Sequence, residues 1–267
     1  KTENPKKVMV IGGGVAGLSA AFVARERGHG VTLYEAGDVL GGNMRLAAYP
    51  PGKGDITNMI RSYIHRCQKD GVKIVMNCEV TPELIKEEKP DSVIIATGSK
   101  TLILPIEGID NPAIIHGSDL LDGKRAAGKK VLVVGGGMVG CETAAFLGEQ
   151  EHDVTVIEFR DTVGADVIHE HRVYLMKDFE DYGIKEITGA KVCKFYEDGV
   201  EYETADGVRH ESRGYDSVIL SMGFRNYNPL EEKIKDLVPE THVIGDAIRA
   251  RRALDATKEA YEVASRI

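Results

Sequence analysis

The feature that most constrains the fold of this chain is an internal repeat. Residues Val8–Asp38 and Val131–Asp161 align without a gap at a constant offset of 123 residues, and 13 of 31 positions are identical. Each copy reads as a buried strand, a glycine-rich turn, a helix and a second strand that ends in an acidic residue. A weaker echo pairs DSVIIATGSK (91–100) with DSVILSMGFR (216–225). Two similar β–α–β domains in tandem would produce this pattern.

The glycines of the first copy have the GxGxxG spacing of a dinucleotide-binding turn. The first glycine permits a tight turn, the second lets the backbone approach a pyrophosphate, and the third allows close helix–strand packing. The pyrophosphate then rests on free N–H groups at the start of the helix. An acidic residue 23 positions after the first glycine suits a ribose diol. The predicted site contains Gly12, Gly14, Val15, Ala16, Gly17 and Glu35; a glycine-rich turn with no ligand is the alternative.

The second copy repeats this arrangement with the same 23-residue spacing, through Gly135, Gly137, Met138, Val139, Gly140 and Glu158. The charge of Glu158 disfavours a 2′-phosphate and so predicts NADH rather than NADPH. Arg160, two residues on, would favour the opposite choice. The alternative for Glu158 is a surface carboxylate at the end of a strand.

Between the two copies, helices alternate with short apolar strands, which predicts an α/β fold with parallel sheets. Residues 55–71 place Ile56, Ile60, Tyr63, Ile64 and Cys67 on one helical face, and residues 73–80 read as a strand. The turn-rich stretch 104–117 is predicted to be a linker. We therefore expect two Rossmann-type domains, the second inserted in the first: residues 1–112 with 224–267, and residues 113–223.

Charge and cysteine usage exclude several classes of protein. The net charge of −8 gives no support for nucleic-acid binding, and the apolar runs are strand-sized, so no membrane span is expected. The four cysteines are scattered without a CxxC spacing, which argues against a disulfide scaffold, a zinc site or an iron–sulfur cluster and favours the cytoplasm. His169 and His171 are two apart on a predicted helix and face different directions, so no metal site is expected.

Three segments together resemble the two-dinucleotide flavoproteins: GGGVAG (12–17), ATG (96–98) and VIGDA (243–247). In that superfamily the first fold binds FAD and the inserted fold binds NAD(P)H. The resemblance implies that Ala96, Thr97 and Gly98 lie near the flavin, and that Gly245 and Asp246 hold its pyrophosphate and ribityl chain. A helix N-cap is the alternative role for Asp246. The resemblance also adds Gly42, Asn43, Met44 and Val80 to the FAD site and Gly223 to the NAD site.

A narrower resemblance covers nearly the whole chain. The segment GGNMRLAAYPPGK (41–53) and the helix and strand after it are similar to the C-terminal half of the 2-enoate reductase, 2,4-dienoyl-CoA reductase and trimethylamine dehydrogenase family. Full-length members carry an N-terminal FMN-binding barrel with a 4Fe-4S cluster, and neither motif is present here. The chain is therefore interpreted as the reductase half of such an enzyme, working with an FMN and iron–sulfur partner domain or subunit, or as a homologue that works alone.

The same resemblance bears on the route of the electrons. Disulfide reductases carry a redox dithiol where this chain has Met44 and Tyr49, so no thiol relay is expected. Glu142 matches a glutamate that lies beside the nicotinamide in related enzymes, and we expect it to orient the carboxamide; stabilisation of the helix dipole is the alternative. Lys53 is expected to be a solvated loop lysine rather than a neighbour of the flavin.

The leading functional hypothesis is an electron-input module in which NADH reduces FAD and electrons pass to the 4Fe-4S and FMN centres of a partner. One alternative is a structural module that holds ADP in the first site without hydride transfer. The other is a self-contained NADH:acceptor oxidoreductase.

Overall fold

The chain passes four times between two structural units. In the computed structural model, which describes residues 1–267, unit 1 comprises residues 1–48, 55–100 and 224–267, and unit 2 comprises residues 49–54 and 101–223. Neither unit is continuous in sequence, and unit 2 takes one short segment, 49–54, from within the sequence of unit 1.

The fifteen strands are short, as strands of α/β proteins usually are. They are β1 (Lys7–Ile11), β2 (Gly30–Tyr34), β3 (Lys73–Val75), β4 (Ser92–Ile95), β5 (Ser99–Thr101), β6 (Ile115–His116), β7 (Lys130–Val134), β8 (Asp153–Ile157), β9 (Lys185–Ile187), β10 (Lys191–Tyr196), β11 (Gly199–Glu203), β12 (Arg209–Ser212), β13 (Ser217–Leu220), β14 (Phe224–Asn226) and β15 (Glu240–Val243).

The eight α-helices are α1 (Val15–Arg27), α2 (Asp55–Lys69), α3 (Pro82–Glu88), α4 (Gly117–Leu121), α5 (Met138–Glu149), α6 (His169–Asp181), α7 (Glu231–Ile234) and α8 (Ala253–Ala264). Two 3₁₀ segments cover Gly42–Ala48 and Gly245–Ala247. None of the helices is both long and apolar enough to cross a membrane.

Unit 1 is built on a five-stranded parallel sheet in the order β15-β4-β1-β2-β3. The central strands are apolar on both faces because helices cover both sides of such a sheet. Helix α1 is buried from Val15 to Ala24 and packs against α8 and α2. Gly28 ends α1 in the left-handed conformation, with φ +106, which glycine adopts without a steric penalty.

Unit 2 repeats this plan with the parallel sheet β6-β13-β7-β8-β9. Strands β4 and β13 occupy the same place, beside the first strand of their repeat, which explains the weaker sequence echo. An antiparallel sheet, β10-β11-β12, is added to unit 2; its strands β10 and β11 carry Tyr196 and Tyr202. Strands β5 and β14 form a two-stranded sheet.

The boundary between the units lies at residue 100, not 112 as the sequence suggested. Residues 101–112 belong to unit 2, where Ile106 and Ile109 pack against a buried cluster that includes Phe195. Glu107 also forms a β-bridge with Lys194. The expected linker 104–117 is therefore part of unit 2, because Ile106 and Ile109, which lie between turn residues, are half-buried against this cluster.

The segment after the first repeat contains a shorter strand than the sequence predicts and a helix with the predicted buried face. The strand predicted over residues 73–80 ends at Val75, since Asn77 adopts a left-handed conformation with φ 54. Helix α2 does bury its predicted face: Ile60 and Cys67 are buried, and Tyr63 makes an edge-to-face contact with Phe22 of α1 at 5.3 Å between ring centroids.

Candidate dinucleotide sites

The first glycine turn has the geometry that its spacing predicts. Gly12 has φ +107, and a Cβ there would lie 2.3 Å from the Ala96 carbonyl oxygen. A Cβ at Gly17 would lie 1.9 Å from the Gly12 oxygen, so this glycine lets α1 approach the turn. At Gly14 a Cβ would meet nothing within 4 Å. The middle glycine therefore faces open space, where an anion can approach the start of α1.

Glu35 is held against this turn by backbone donors. Its Oε2 accepts a hydrogen bond from Gly13 N at 2.7 Å, and its Oε1 accepts one from Gly37 N at 2.7 Å. Each carboxylate oxygen keeps a lone pair for a ribose hydroxyl. Glu35 also lines a cavity of about 240 Å³ together with Val80, Thr97 and Tyr227. The predicted acid and the predicted Val80 thus share one concave site in unit 1.

The segment after β2 lies along the glycine turn. Gly41 N donates to the Gly13 oxygen at 2.8 Å, and a Cβ on Gly42 would lie 3.2 Å from Gly14 Cα. The side chain of Asn43 donates hydrogen bonds to the backbone and hydroxyl oxygens of Ser99 at 3.4 and 3.3 Å. Met44 follows in the 3₁₀ segment.

Two segments distant in sequence complete the surroundings of α1. Gly245 has φ +63, and a Cβ there would lie 3.0 Å from the Ala16 Cβ, so glycine allows its turn to pack against the helix start. Asp246 Oδ2 accepts a hydrogen bond from Ser99 Oγ at 2.9 Å, and Oδ1 accepts one from Arg251 N at 3.1 Å. Asp246 does not cap α8, which begins at Ala253 with Arg252 as its N-cap. The helix-cap alternative is therefore wrong for α8.

Ser99 links the segment of Asn43 to the segment of Asp246, and the sequence did not predict this role. It contacts both Asn43 and Asp246, while Thr97, two residues earlier, donates to the Tyr227 oxygen and Gly98 turns the chain with φ +75. Its position directly after the ATG segment was the available signal. The structure thus brings the segments of Glu35, Gly42, Ala96 and Gly245 close to the glycine turn and the start of α1, and Val80 and Thr97 line the adjoining cavity.

The backbone of the second glycine turn closely matches that of the first. Gly135 has φ +106, and its Cβ would lie 2.4 Å from the Ser221 oxygen; a Cβ at Gly140 would lie 1.8 Å from the Gly135 oxygen. The middle glycines match as well, with φ −72 and ψ −179 at Gly14 and φ −73 and ψ −176 at Gly137. Met138 and Val139 form the first turn of α5.

Glu158 takes the same place here as Glu35 takes in unit 1. Its Oε2 accepts a hydrogen bond from Gly136 N at 2.5 Å, and its Oε1 accepts one from Arg160 N at 2.9 Å. It is half-buried and lines a cavity of about 300 Å³ with Gly137, Met138 and Gly223. Glu158 is therefore a fixed part of the concave site and not a free surface carboxylate.

Glu142 lies at the centre of a charged cluster in unit 2. Its side chain is 6% exposed and forms an ion pair with Lys53 Nζ, while His171 Nε2 lies 3.2 Å from its Oε1. Lys53 is 20% exposed, so the expectation of a solvated loop lysine is wrong. It reaches Glu142 because residues 49–54 pack in unit 2. His171 gave no signal in sequence, since its partner Glu142 lies 29 residues away.

The cysteines form no disulfide and belong to no cluster of three possible metal ligands. All four cysteines are free. Burial raises the pKa of Cys67 to about 11 and that of Cys141 to about 12, which keeps both as thiols at neutral pH. The structure contains no cluster of three His, Cys, Asp or Glu side chains suited to a metal ion.

Comparison with known proteins gives relatives over the whole chain. It is 34% identical to the cinnamate reductase of Clostridium sporogenes over 270 residues, which covers 100% of this chain and 40% of the relative. It is 35% identical to the NADH oxidase of Thermoanaerobacter brockii, over 98% of this chain and 41% of the relative. The structure of a 2-naphthoyl-CoA reductase in complex with 2-naphthoyl-CoA matches with a TM-score of 0.94 and 33% identity, over 99% of this chain and 40% of that one.

The chain thus spans about 40% of the length of these relatives, in agreement with the resemblance to the C-terminal module of the enoate reductases. Residues 6–244 match a family profile that covers most of the chain. This match confirms the predicted α/β fold with two Rossmann-type units and the predicted class, an FAD-dependent NAD(P)H oxidoreductase. The chain belongs to the pyridine nucleotide-disulphide oxidoreductase family.

Proposed function

We propose that the chain is the NADH-dependent flavin reductase module of a larger enzyme. Unit 1 holds FAD, unit 2 binds NADH, and electrons continue to a 4Fe-4S and FMN ene-reductase domain outside this chain. The observation that carries the proposal is the duplicated turn, in which the same backbone angles, the same close glycine contacts and the same glutamate–amide bond occur twice. Two such turns in one chain suit two dinucleotides.

The residues of unit 1 fit FAD by the chemistry of their donors and acceptors. The N–H groups at the start of α1 are open to a pyrophosphate, and Glu35 offers acceptor lone pairs to the adenosine ribose. Asp246 sits beside this helix start, with its carboxylate fixed by Ser99 and Arg251 N, and so offers an acceptor to a polyol chain. Val80 and Leu230 give the neighbouring cavity an apolar wall, which suits an adenine ring.

The residues of unit 2 fit NADH. Glu158 accepts hydrogen bonds from a ribose diol and repels a 2′-phosphate, and the turn at Gly137 receives the pyrophosphate. Bound FAD would accept a hydride from the nicotinamide of NADH, and the residues of each unit would hold the dinucleotide that they bind. Within unit 2, Lys53 and His171 fix the Glu142 carboxylate. Our proposal for Glu142 is that it accepts a hydrogen bond from the carboxamide of the nicotinamide.

Onward transfer to a partner domain is supported by two facts. Burial raises the pKa of Cys67 and Cys141, so neither buried cysteine offers the thiolate that a thiol relay from a flavin needs. The relatives named as reductases are about two and a half times as long as this chain, so their additional sequence has room for further centres. A double bond conjugated to a carboxylate or thioester is the substrate class that the names of the relatives favour, here as a proposal.

The experiment is anaerobic titration of the FAD-loaded protein with NADH and with NADPH, followed by flavin absorbance. We expect one equivalent of NADH to bleach the flavin, and NADPH to react about tenfold more slowly, since its 2′-phosphate meets Glu158. Oxidised flavin that persists in excess NADH would contradict the proposal.

The same preparation separates the alternatives. A colourless protein that holds ADP and takes up no FAD would identify a structural module. Steady consumption of NADH in air without added dye would identify a self-contained oxidoreductase. A four-cysteine cluster encoded upstream of Lys1 would support the partner domain.

A further inference from the structure

The Asp166 carboxylate accepts a hydrogen bond from a backbone N–H group that the pyrophosphate of the second dinucleotide would also use. Its Oδ1 accepts a hydrogen bond from Met138 N, the first residue of α5, at 2.9 Å. Its Oδ2 lies 3.3 Å from the position that a Cβ on Gly137 would take. The carboxylate thus covers the middle glycine of the turn and uses one of the free N–H groups that bind a pyrophosphate.

The loop that carries Asp166 is held in place on both sides. Gly164 N donates to the Gly136 oxygen at 2.7 Å, and Val163 is 1% exposed. Arg172 of α6 donates to Thr162 Oγ1 at 3.0 Å and to the Val163 oxygen at 3.2 Å. Asp166 itself is exposed, so its side chain can leave the amide without unpacking this loop.

Unit 1 has the same loop without the charge. The 123-residue offset of the repeat continues through it: Gly41 corresponds to Gly164, and Asn43 corresponds to Asp166. Gly41 N donates to the Gly13 oxygen at 2.8 Å, as Gly164 N does to Gly136. The neutral Asn43 is bonded to Ser99 instead of the helix start, and Gly14 faces open space.

We infer that Asp166 competes with the pyrophosphate of NADH for the start of α5 and so sets the affinity of this site. Binding must displace the carboxylate from Met138 N and bring a dianion beside it, and both effects weaken the complex. By weakening the complex, the Asp166 carboxylate speeds the release of the nicotinamide dinucleotide, which must leave unit 2 after each turnover. Unit 1, without a competitor, retains its ligand. This inference rests on the proposed binding of NADH in unit 2.

The test is the affinity of the FAD-loaded protein for NAD⁺ and ADP-ribose, measured by calorimetry. Asp166→Asn keeps an oxygen that can accept from Met138 N, removes the charge, and installs the residue of the other repeat. We expect the Kd to fall about tenfold and NAD⁺ release to slow. Asp166→Ser, which also lacks the charge, should tighten binding in the same direction.

The matched control is Asp161→Asn. Asp161 lies on the same loop, is exposed, and makes no hydrogen bond to the glycine turn, so this variant carries the same change in net charge. A Kd for Asp166→Asn that equals that of Asp161→Asn, or exceeds that of the unaltered protein, would overturn the inference and leave the proposed function intact. If neither the unaltered protein nor Asp166→Asn binds either ligand, the proposed function itself fails.

Discussion

The two glycine turns share one backbone and differ in the side chains around it. Two pairs of positions related by the 123-residue offset carry a difference in charge: Ser19 and Glu142, and Asn43 and Asp166. At both pairs unit 2 has a carboxylate where unit 1 has a neutral residue. The comparison teaches that the repeat preserves the cradle for a dinucleotide, whereas side chains outside the glycine motif give each unit its own chemistry.

His29 and His152 are a further pair related by the 123-residue offset, and they differ in their hydrogen bonds. His29 Nδ1 accepts a hydrogen bond from Lys6 N at 3.1 Å, so this nitrogen carries no proton. His152 Nδ1 lies 2.7 Å from the Gly128 carbonyl oxygen, which can only accept, so there the nitrogen carries the proton. Identical residues at equivalent positions therefore have opposite hydrogen-bonding roles.

The sharpest way to separate the two sites is to add one methyl group to each middle glycine. Gly14→Ala should fold normally, because φ is −72 and the Cβ meets nothing within 4 Å. The methyl group then occupies the space of the pyrophosphate, and we expect FAD retention to fall at least about 100-fold by equilibrium dialysis. Gly137→Ala should keep FAD and lose reduction by NADH. Loss of FAD from both variants would break the assignment of one ligand to each unit.

Gly17→Ala is the control for folding. Its Cβ would lie 1.9 Å from the Gly12 oxygen, so the turn must shift and the free energy of unfolding should fall by about 3 kcal/mol. Denaturant unfolding distinguishes this damage from the binding defect of Gly14→Ala.

A smaller effect is expected at Glu142, whose counterpart Ser19 is neutral. Glu142→Gln removes the ionic partner of Lys53 and perturbs the contact with His171, at a cost of about 2 kcal/mol in the stability of unit 2. We expect flavin reduction by NADH to slow about tenfold in stopped-flow traces, with FAD content unchanged. Glu149→Gln, at the exposed end of α5, should leave both measurements unaltered; an equal loss there would refute a local role for Glu142.

The smallest expected effect is a loss of folding stability at acidic pH. Burial and, secondarily, the charge of Arg27 lower the pKa of His29 below its ordinary 6.5, because they disfavour the imidazolium. Unfolded His29 therefore takes up a proton at higher pH than folded His29. Its stabilising contribution is complete above about pH 6.5 and is lost as the pH falls through that value towards the folded pKa, by at most about 1.4 kcal/mol per pH unit.

Urea unfolding at several pH values between about 7 and 5 measures this loss. His29→Asn supplies an amide oxygen for Lys6 N and should flatten the pH dependence. His152→Asn is the comparison, since protonation does not remove the hydrogen that His152 Nδ1 donates. A pH dependence that His29→Asn leaves unchanged would refute the role of His29.

Much of the fold could be predicted from the sequence, because the repeat and its glycine spacing are local patterns. The parallel strands, α1, α5 and the buried face of α2 follow directly from them. The true boundary near residue 100 was missed because Ile106 and Ile109 are separated by turn residues and show no period.

The candidate sites likewise contain residues that the sequence predicts and residues that it does not. The glycines and the paired glutamates were predicted, since each lies at a fixed distance from its motif. The ion pair between Lys53 and Glu142 joins residues 89 positions apart, and no sequence period encodes it. Asp166 could have been predicted. The repeat extends past Asp161 to Gly164, and Asp166 lies only two residues after that glycine.

The interleaved order of the segments has a consequence for synthesis on the ribosome. Strand β15 and helix α8 of unit 1 are encoded in residues 224–267, after all of unit 2. A nascent chain can thus complete the nucleotide fold of unit 2 while the hydrophobic face of α1 that packs on α8 still lacks its cover. Unit 1 matures last, and a pause in translation before residue 224 would leave that face accessible to chaperones.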